Sequence, residues 1–116
     1  MSPTQAIFKI LRPAEWQAFQ SARRFEGSAD DMRDGFIHFS TVAQVSGTLS
    51  RHFSDETEVV ILRVESAPLG DALRWEPSRQ GKLFPHLFRA LRIEEVAETW
   101  TLQRGADGFD VGVIGA

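Results

Sequence analysis

Hydrophobic and polar positions alternate between two periods along this chain. Ala6 to Leu11 is a short apolar run broken only by Lys9, and it reads as a first strand. Pro13 stops that strand and suits the first turn of a helix, because its missing N–H needs no partner there. From Pro13 to about Arg24, Trp16, Phe19 and Ala22 recur at three-residue spacing, with Glu15 in the first turn and Arg23 and Arg24 in the last. Gly27 ends this helix or lies just beyond it, and Glu26 to Asp34 reads as a loop. Gly35 to Phe39 is strand-like, with Phe36 and His38 on one face and Ile37 and Phe39 on the other. Thr41 and Gln44 have capping-box spacing, and Val42, Val45, Leu49 and Phe53 follow at helical intervals, so a second helix is expected from Thr41 to His52.

Glu58 to Glu65 is almost unbroken in β-branched and aliphatic residues, the mark of a strand buried on both faces and hence of the sheet centre. A short strand is expected at Leu73 to Glu76, then a polar loop from Pro77 to Lys82 and an apolar segment through His86. Ile93 to Val96 fits one helical turn, and Val96, Glu98, Trp100 and Leu102 alternate as a late strand. The Gly-rich stretch from 105 to 116 is expected to be poorly ordered. This order of elements, with no regular βαβ alternation and no GxGxxG after a strand, predicts an α+β fold in one domain spanning 1–116, its core over about 6–104.

Composition narrows the chemistry. The chain has 116 residues, a net charge of -3 and no cysteine, so no general nucleic-acid or anionic-membrane footprint, disulfide, thiolate metal site or cysteine nucleophile is expected. No apolar run approaches the roughly 20 residues of a spanning helix, and no secretory leader is evident, which leads to a cytoplasmic expectation. With nine Phe, three Trp and no Tyr, polar work in any pocket falls to His, Arg, Glu, Ser or Thr.

Two of the three histidines, His38 and His86, lie in apolar, aromatic runs, where an imidazole needs a partner or a purpose. His38 reads as a ligand-contacting imidazole or as a core residue bonded to a carbonyl; His86 reads as an acid, base or phosphate donor in the same cleft, or as a turn anchor. Ser40 and Thr41 put two hydroxyls and the start of a helix beside His38, a natural seat for an anion. Arg74 and Glu76 should share a strand face, as a structural ion pair or as ligand contacts, with Trp75 opposite, in the core or stacked on a base. Arg79 and Lys82 are loop cations within reach of a phosphate or simply solvated. His52 is explained by the C-terminus of its helix, and Asp30, Asp31 and Asp34 lack the spacing of a calcium loop, so no metal is expected.

The segments ILRPAEWQAF, DGFIHFST, EVVILRVE and LRWEPSRQGKLFPHLF, in that order, resemble DUF952, a small bacterial and plant family of uncharacterised proteins, over roughly residues 6 to 104. That family is grouped by fold with the ADP-ribosyltransferases, including the RNA 2'-phosphotransferases. The resemblance implies a split, curved, mixed or antiparallel sheet with two main helices around a nicotinamide-dinucleotide cleft. It implies a ribose-contacting role for His38, with Ser40 or Thr41 as the adjacent hydroxyl. In the enzyme reading of the residues, His38 and Ser40 position the ribose of NAD or a similar nucleotide and His86 or Glu76 assists the leaving or accepting group, with Arg74, Trp75 and Arg79 as further candidate contacts. His38 within GFIHFS is similar to the HxHLS-like segment of the phosphotransferases, whereas no ExE or QxE element follows. The two function classes that emerge are a transferase-like enzyme and a non-catalytic module for a nucleotide, a phosphorylated metabolite or a modified RNA end.

Overall fold

The computed structural model describes residues 5–115, with Arg79 described by its backbone alone. β1 (Ala6–Leu11) leads through Pro13 into α1 (Pro13–Ala22), followed by β2 (Arg24–Phe25), α2 (Ala29–Asp34) and β3 (Ile37–His38). A 3-10 turn at Val42–Gln44 runs into α3 (Val45–His52), and then come β4 (Glu58–Glu65), β5 (Leu73–Pro77), β6 (Leu83–Leu87), β7 (Leu91–Arg92) and β8 (Val96–Gln103). All the strand pairs are antiparallel: a three-stranded sheet β1-β4-β8, a three-stranded sheet β3-β6-β5, and the short pair β2-β7. The α+β expectation is met at this level.

β4 is central in its sheet, as its apolar run requires. Its alternate side chains enter two separate cores: Val60, Leu62 and Val64 join Phe19 of α1, while Val59 and Ile61 join Val45 and Leu49 of α3. β1 is divided in the same way, with Ile7 and Leu11 on the α1 side and Phe8 and Ile10 on the α3 side. Period-2 alternation therefore places Lys9 on the α1 face, between Ile7 and Leu11, where a bare ammonium would be costly.

The two larger sheets meet at one point. Phe8 N–H donates to the Ser40 carbonyl and Ser40 N–H to the Phe8 carbonyl, each at 2.8 Å, while Phe39 N–H donates to the Pro85 carbonyl at 2.9 Å. The segment from 38 to 40 thus joins β1 on one side to β6 on the other.

Three segments differ from the sequence expectation. α1 ends at Ala22 because Arg23 turns left-handed (φ 63) and its N–H caps the Phe19 carbonyl, so Arg23 and Arg24 lie beyond the last turn. Residues 29–34 form α2 rather than a loop: Ser28 Oγ accepts from Asp31 N–H at 3.2 Å, Asp31 Oδ2 accepts from Ser28 N–H at 2.9 Å, and Gly35 (φ 88) closes the helix. The Gly-rich end folds back instead of trailing away: Gly105 and Gly108 form a bridge, and Ile114 is buried in the α3-side core, with Phe109 and Val111 packed against it. No helix among the described residues is long and apolar enough to cross a membrane.

Candidate functional site

Strand register brings the two sequence motifs together. In the β3–β6 pair His38 stands opposite His86, and in the β5–β6 pair Arg74 stands opposite His86 and Glu76 opposite Phe84. Directly paired residues point to the same face, so His38, His86, Arg74 and Glu76 share one side of the sheet. The two imidazoles meet edge to face at 5.4 Å between centroids. Phe36 packs on both rings, stacked on His86 at 4.1 Å and tilted on His38 at 4.6 Å.

Each histidine is oriented by a carboxylate, in different ways. His86 is buried, and its Nδ1 lies 2.8 Å from Glu76 Oε1. A carboxylate only accepts, so Nδ1 donates and Nε2 is the bare nitrogen of the neutral ring. Nε2 has no hydrogen-bond partner among the described residues; since no buried side-chain nitrogen or oxygen lacks one, Nε2 is open to the cleft. His38 is half-buried, with Nδ1 at 2.7 Å from Asp31 Oδ1 and Nε2 at 3.0 Å from Asp34 Oδ2.

Asp31 is the hub. Its carboxylate accepts from Lys9 Nζ at 2.9 and 3.2 Å, from the His38 backbone N–H at 3.1 Å, from His38 Nδ1 and from Ser28 N–H. Lys9 also donates to the His38 carbonyl at 3.0 Å, so one buried ammonium ties β1 to β3 and α2. Burial pushes the Asp31 carboxyl up, but the hydrogen bond from His38 and the charge and hydrogen bond of Lys9 outweigh it and hold it well below the usual carboxylate range. Gly27 leaves room for this hub: at its φ of 132, a Cβ would lie 2.7 Å from Asp31 Cβ.

Around these groups lies a cleft of about 370 Å³ at the junction of the two sheets. All three histidines line it, with Lys9, Arg12, Arg33 and Arg51 matched in number by Glu15, Asp30, Asp31 and Asp34. Among the described residues the fixed charges of the lining cancel. Arg12 pairs with Glu56 at 3.0 Å and Arg33 with Asp30 at 3.0 Å, whereas Arg51 is exposed with no ion pair among the described residues. Among the described residues no group of three or more His, Cys, Asp or Glu is arranged to hold a metal ion.

The other residues named from the sequence are placed as follows. Ser40 is buried in the cleft wall, and its Oγ lies 2.8 Å from Thr48 Oγ1. Thr48 spends its only hydroxyl proton on the Gln44 carbonyl at 3.1 Å, so Ser40 is the donor in that pair and directs its proton away from both imidazoles. Thr41 lies outside the cleft lining, and its amide, expected to help seat an anion, instead donates to Gln44 Oε1 at 3.0 Å. Arg74 is exposed and sits over the Phe88 ring at 5.0 Å, outside the lining. Trp75 faces the opposite way and packs against the α1-side core. The Arg79 side chain lies outside the described residues. His52, set aside as a helix-end residue, lines the cleft. Sequence reasoning missed Lys9 and Asp31 as a pair, although a lone cation within an apolar strand was the available signal.

An antiparallel α+β protein with a histidine-walled cleft between two sheets is thus the class that the fold and site define. The chain belongs to the family described as "Protein of unknown function (DUF952)", whose model matches residues 10–99. Its fold is similar to the X-ray crystal structure of protein CC0527 from Caulobacter crescentus, at TM-score 0.89 and 45% identity over 94% of this chain and 96% of that one. The solution NMR structure of CC0527 matches at TM-score 0.80 and 47% identity, covering 90% of each chain. No curated protein matches the chain.

Proposed function

We propose that the cleft binds a nucleotide of the NAD or ADP-ribose kind, in a cytoplasmic protein whose sheet is related to that of the ADP-ribosyltransferases. The observation that carries this reading is the opposition of His38 and His86 across β3–β6, both rings held by carboxylates and both on the wall of one cleft that also presents Arg51, which has no ion pair among the described residues. The bare His86 Nε2 can accept from a ribose hydroxyl, and the Arg51 guanidinium, which has no ion pair among the described residues, can donate to phosphate oxygens. About 370 Å³ stands at the lower end of the roughly 300–1,000 Å³ of small-molecule sites, enough for a mononucleotide-sized portion of such a ligand.

In transfer chemistry, His86 Nε2 is the group that takes the acceptor's proton, with Glu76 fixing the tautomer, and His38, held at both ring nitrogens, packs beside the ribose. A specific observation favours the second reading, a binding module without turnover: Ser40 gives its proton to Thr48, and His38 has a carboxylate at each ring nitrogen, which makes both fixed contacts rather than mobile acids or bases.

Calorimetric titration with AMP, ADP-ribose and NAD, followed by an assay for nicotinamide release, separates the two. Binding with release that His86→Ala abolishes supports the transferase reading, and binding without release supports the module. No binding of any of the three ligands overturns the nucleotide assignment. Indole fluorescence is a poor reporter here, because Trp16, Trp75 and Trp100 all pack against the cores and none lines the cleft.

A further inference from the structure

A second groove, of about 450 Å³, runs between α3 and the β5–β6 hairpin. Gly47, Ser50 and Arg51 form its α3 side, and Gln80, Lys82 and Phe84 its hairpin side. Gln44 Nε2 donates to the Leu83 carbonyl at 2.8 Å and pins the two walls together. Arg51 and Phe84 line both this groove and the histidine cleft, so the two spaces adjoin at these side chains.

Their charges differ. Among the described residues the histidine cleft balances four cations with four carboxylates, whereas the charged residues that line the second groove are Arg51 and Lys82. Both are exposed, and neither has an ion pair among the described residues. Two cations without an ion pair, on a groove that no carboxylate lines among the described residues, attract an anion, and the shared position of Arg51 puts that anion next to whatever fills the first cleft. At the hairpin, Gln80 holds a left-handed backbone (φ 60).

We propose that Arg51 and Lys82 form a phosphate subsite that continues the histidine cleft, so that the protein takes a nucleotide carrying a pyrophosphate rather than a nucleoside monophosphate. This deepens the nucleotide reading and rests on it. One phosphate lies at the Arg51 junction, the next against Lys82, and the nucleoside half occupies the space beside His38 and His86. The second space gives a ligand room beyond the first cleft, and each lies within the roughly 300–1,000 Å³ of small-molecule sites.

Calorimetry at fixed salt with AMP, ADP and ADP-ribose tests the subsite, with Lys82→Ala as the variant because Lys82 lines the second groove alone. ADP and ADP-ribose should bind roughly tenfold more tightly than AMP, as one charge-assisted contact of about 1.4 kcal/mol predicts, and Lys82→Ala should remove most of that gain while leaving AMP unchanged. AMP binding with no gain from the second phosphate overturns the subsite and leaves the nucleotide reading standing. A Lys82→Ala loss equal for AMP and ADP also overturns it. Failure of all three ligands removes the nucleotide reading itself. A short single-stranded RNA that gains more from Lys82 than ADP-ribose does overturns the small-molecule assignment in favour of a nucleic-acid chain.

Discussion

The two larger sheets have the same number of strands and the same antiparallel pairing, yet they spend their faces differently. In β1-β4-β8 the central strand is buried on both sides, and its alternate residues feed two cores. In β3-β6-β5 one face supplies Ile37, Leu87 and Trp75 to a core, while the other carries His38, His86, Arg74 and Glu76. A sheet that needs only one face for packing has the other free for chemistry. Lys9 is where the two uses meet: it belongs to the packing sheet by position and to the histidine site by its contacts.

Breaking that meeting point should have the largest effect. Asp31→Ala strands the Lys9 ammonium in the interior, releases His38 Nδ1 and removes the side-chain bond to Ser28 N–H at the start of α2, so it should cost about 3–5 kcal/mol in urea unfolding, together with ligand binding. Replacing both partners, as Lys9→Met with Asp31→Leu, should restore much of the stability and none of the binding, because an apolar pair fills the space but does not hold an imidazole. A cut confined to the packing sheet behaves in the opposite way: Leu62→Ala should cost about 2–5 kcal/mol while nucleotide affinity in the folded protein stays within twofold of wild type.

Acid should separate the regions more gently. The folded Asp31 carboxyl is held below its ordinary value of 3.8, so in acid the unfolded chain binds the proton more readily than the folded one does. Its stabilising contribution is complete above that ordinary value and is lost as pH falls toward the depressed folded one. Unfolding free energy measured from pH 5 downward should therefore decline, and the decline should be shallower in Asp31→Asn than in wild type. Equal slopes would show that Asp31 is not the linked group.

How far the sequence revealed each region follows from the same division. β4 and β1 announce themselves because burial on two faces leaves almost no room for polar residues, and α3 because Val45, Leu49 and Phe53 must meet one core. α2 was hidden, since Ala29–Asp34 has no apolar stripe and its form depends on the Ser28–Asp31 cap and on the pull of Lys9. The pairs in β2–β7 are too short to show a period. Within the site, alternation around Ile37 and around Trp75 correctly put His38 with Phe36 and Arg74 with Glu76 on shared faces. The opposition of residues 38 and 86 is a matter of strand register between distant segments, which no local pattern encodes. His52 and Arg51 entered the cleft for the same reason: a helix end explains a histidine locally, but only the tertiary path of α3 brings it to the rim.

The most direct test of the account is an NMR titration of the three imidazoles with ADP-ribose, comparing wild type with His86→Gln. Saturable shifts of the His38 and His86 ring signals are expected along one common binding curve, with affinity at least fivefold weaker in His86→Gln and its unfolding midpoint little changed. Saturation that leaves both rings unmoved, or moves them along two unrelated curves, would contradict a single cleft built by facing these strands.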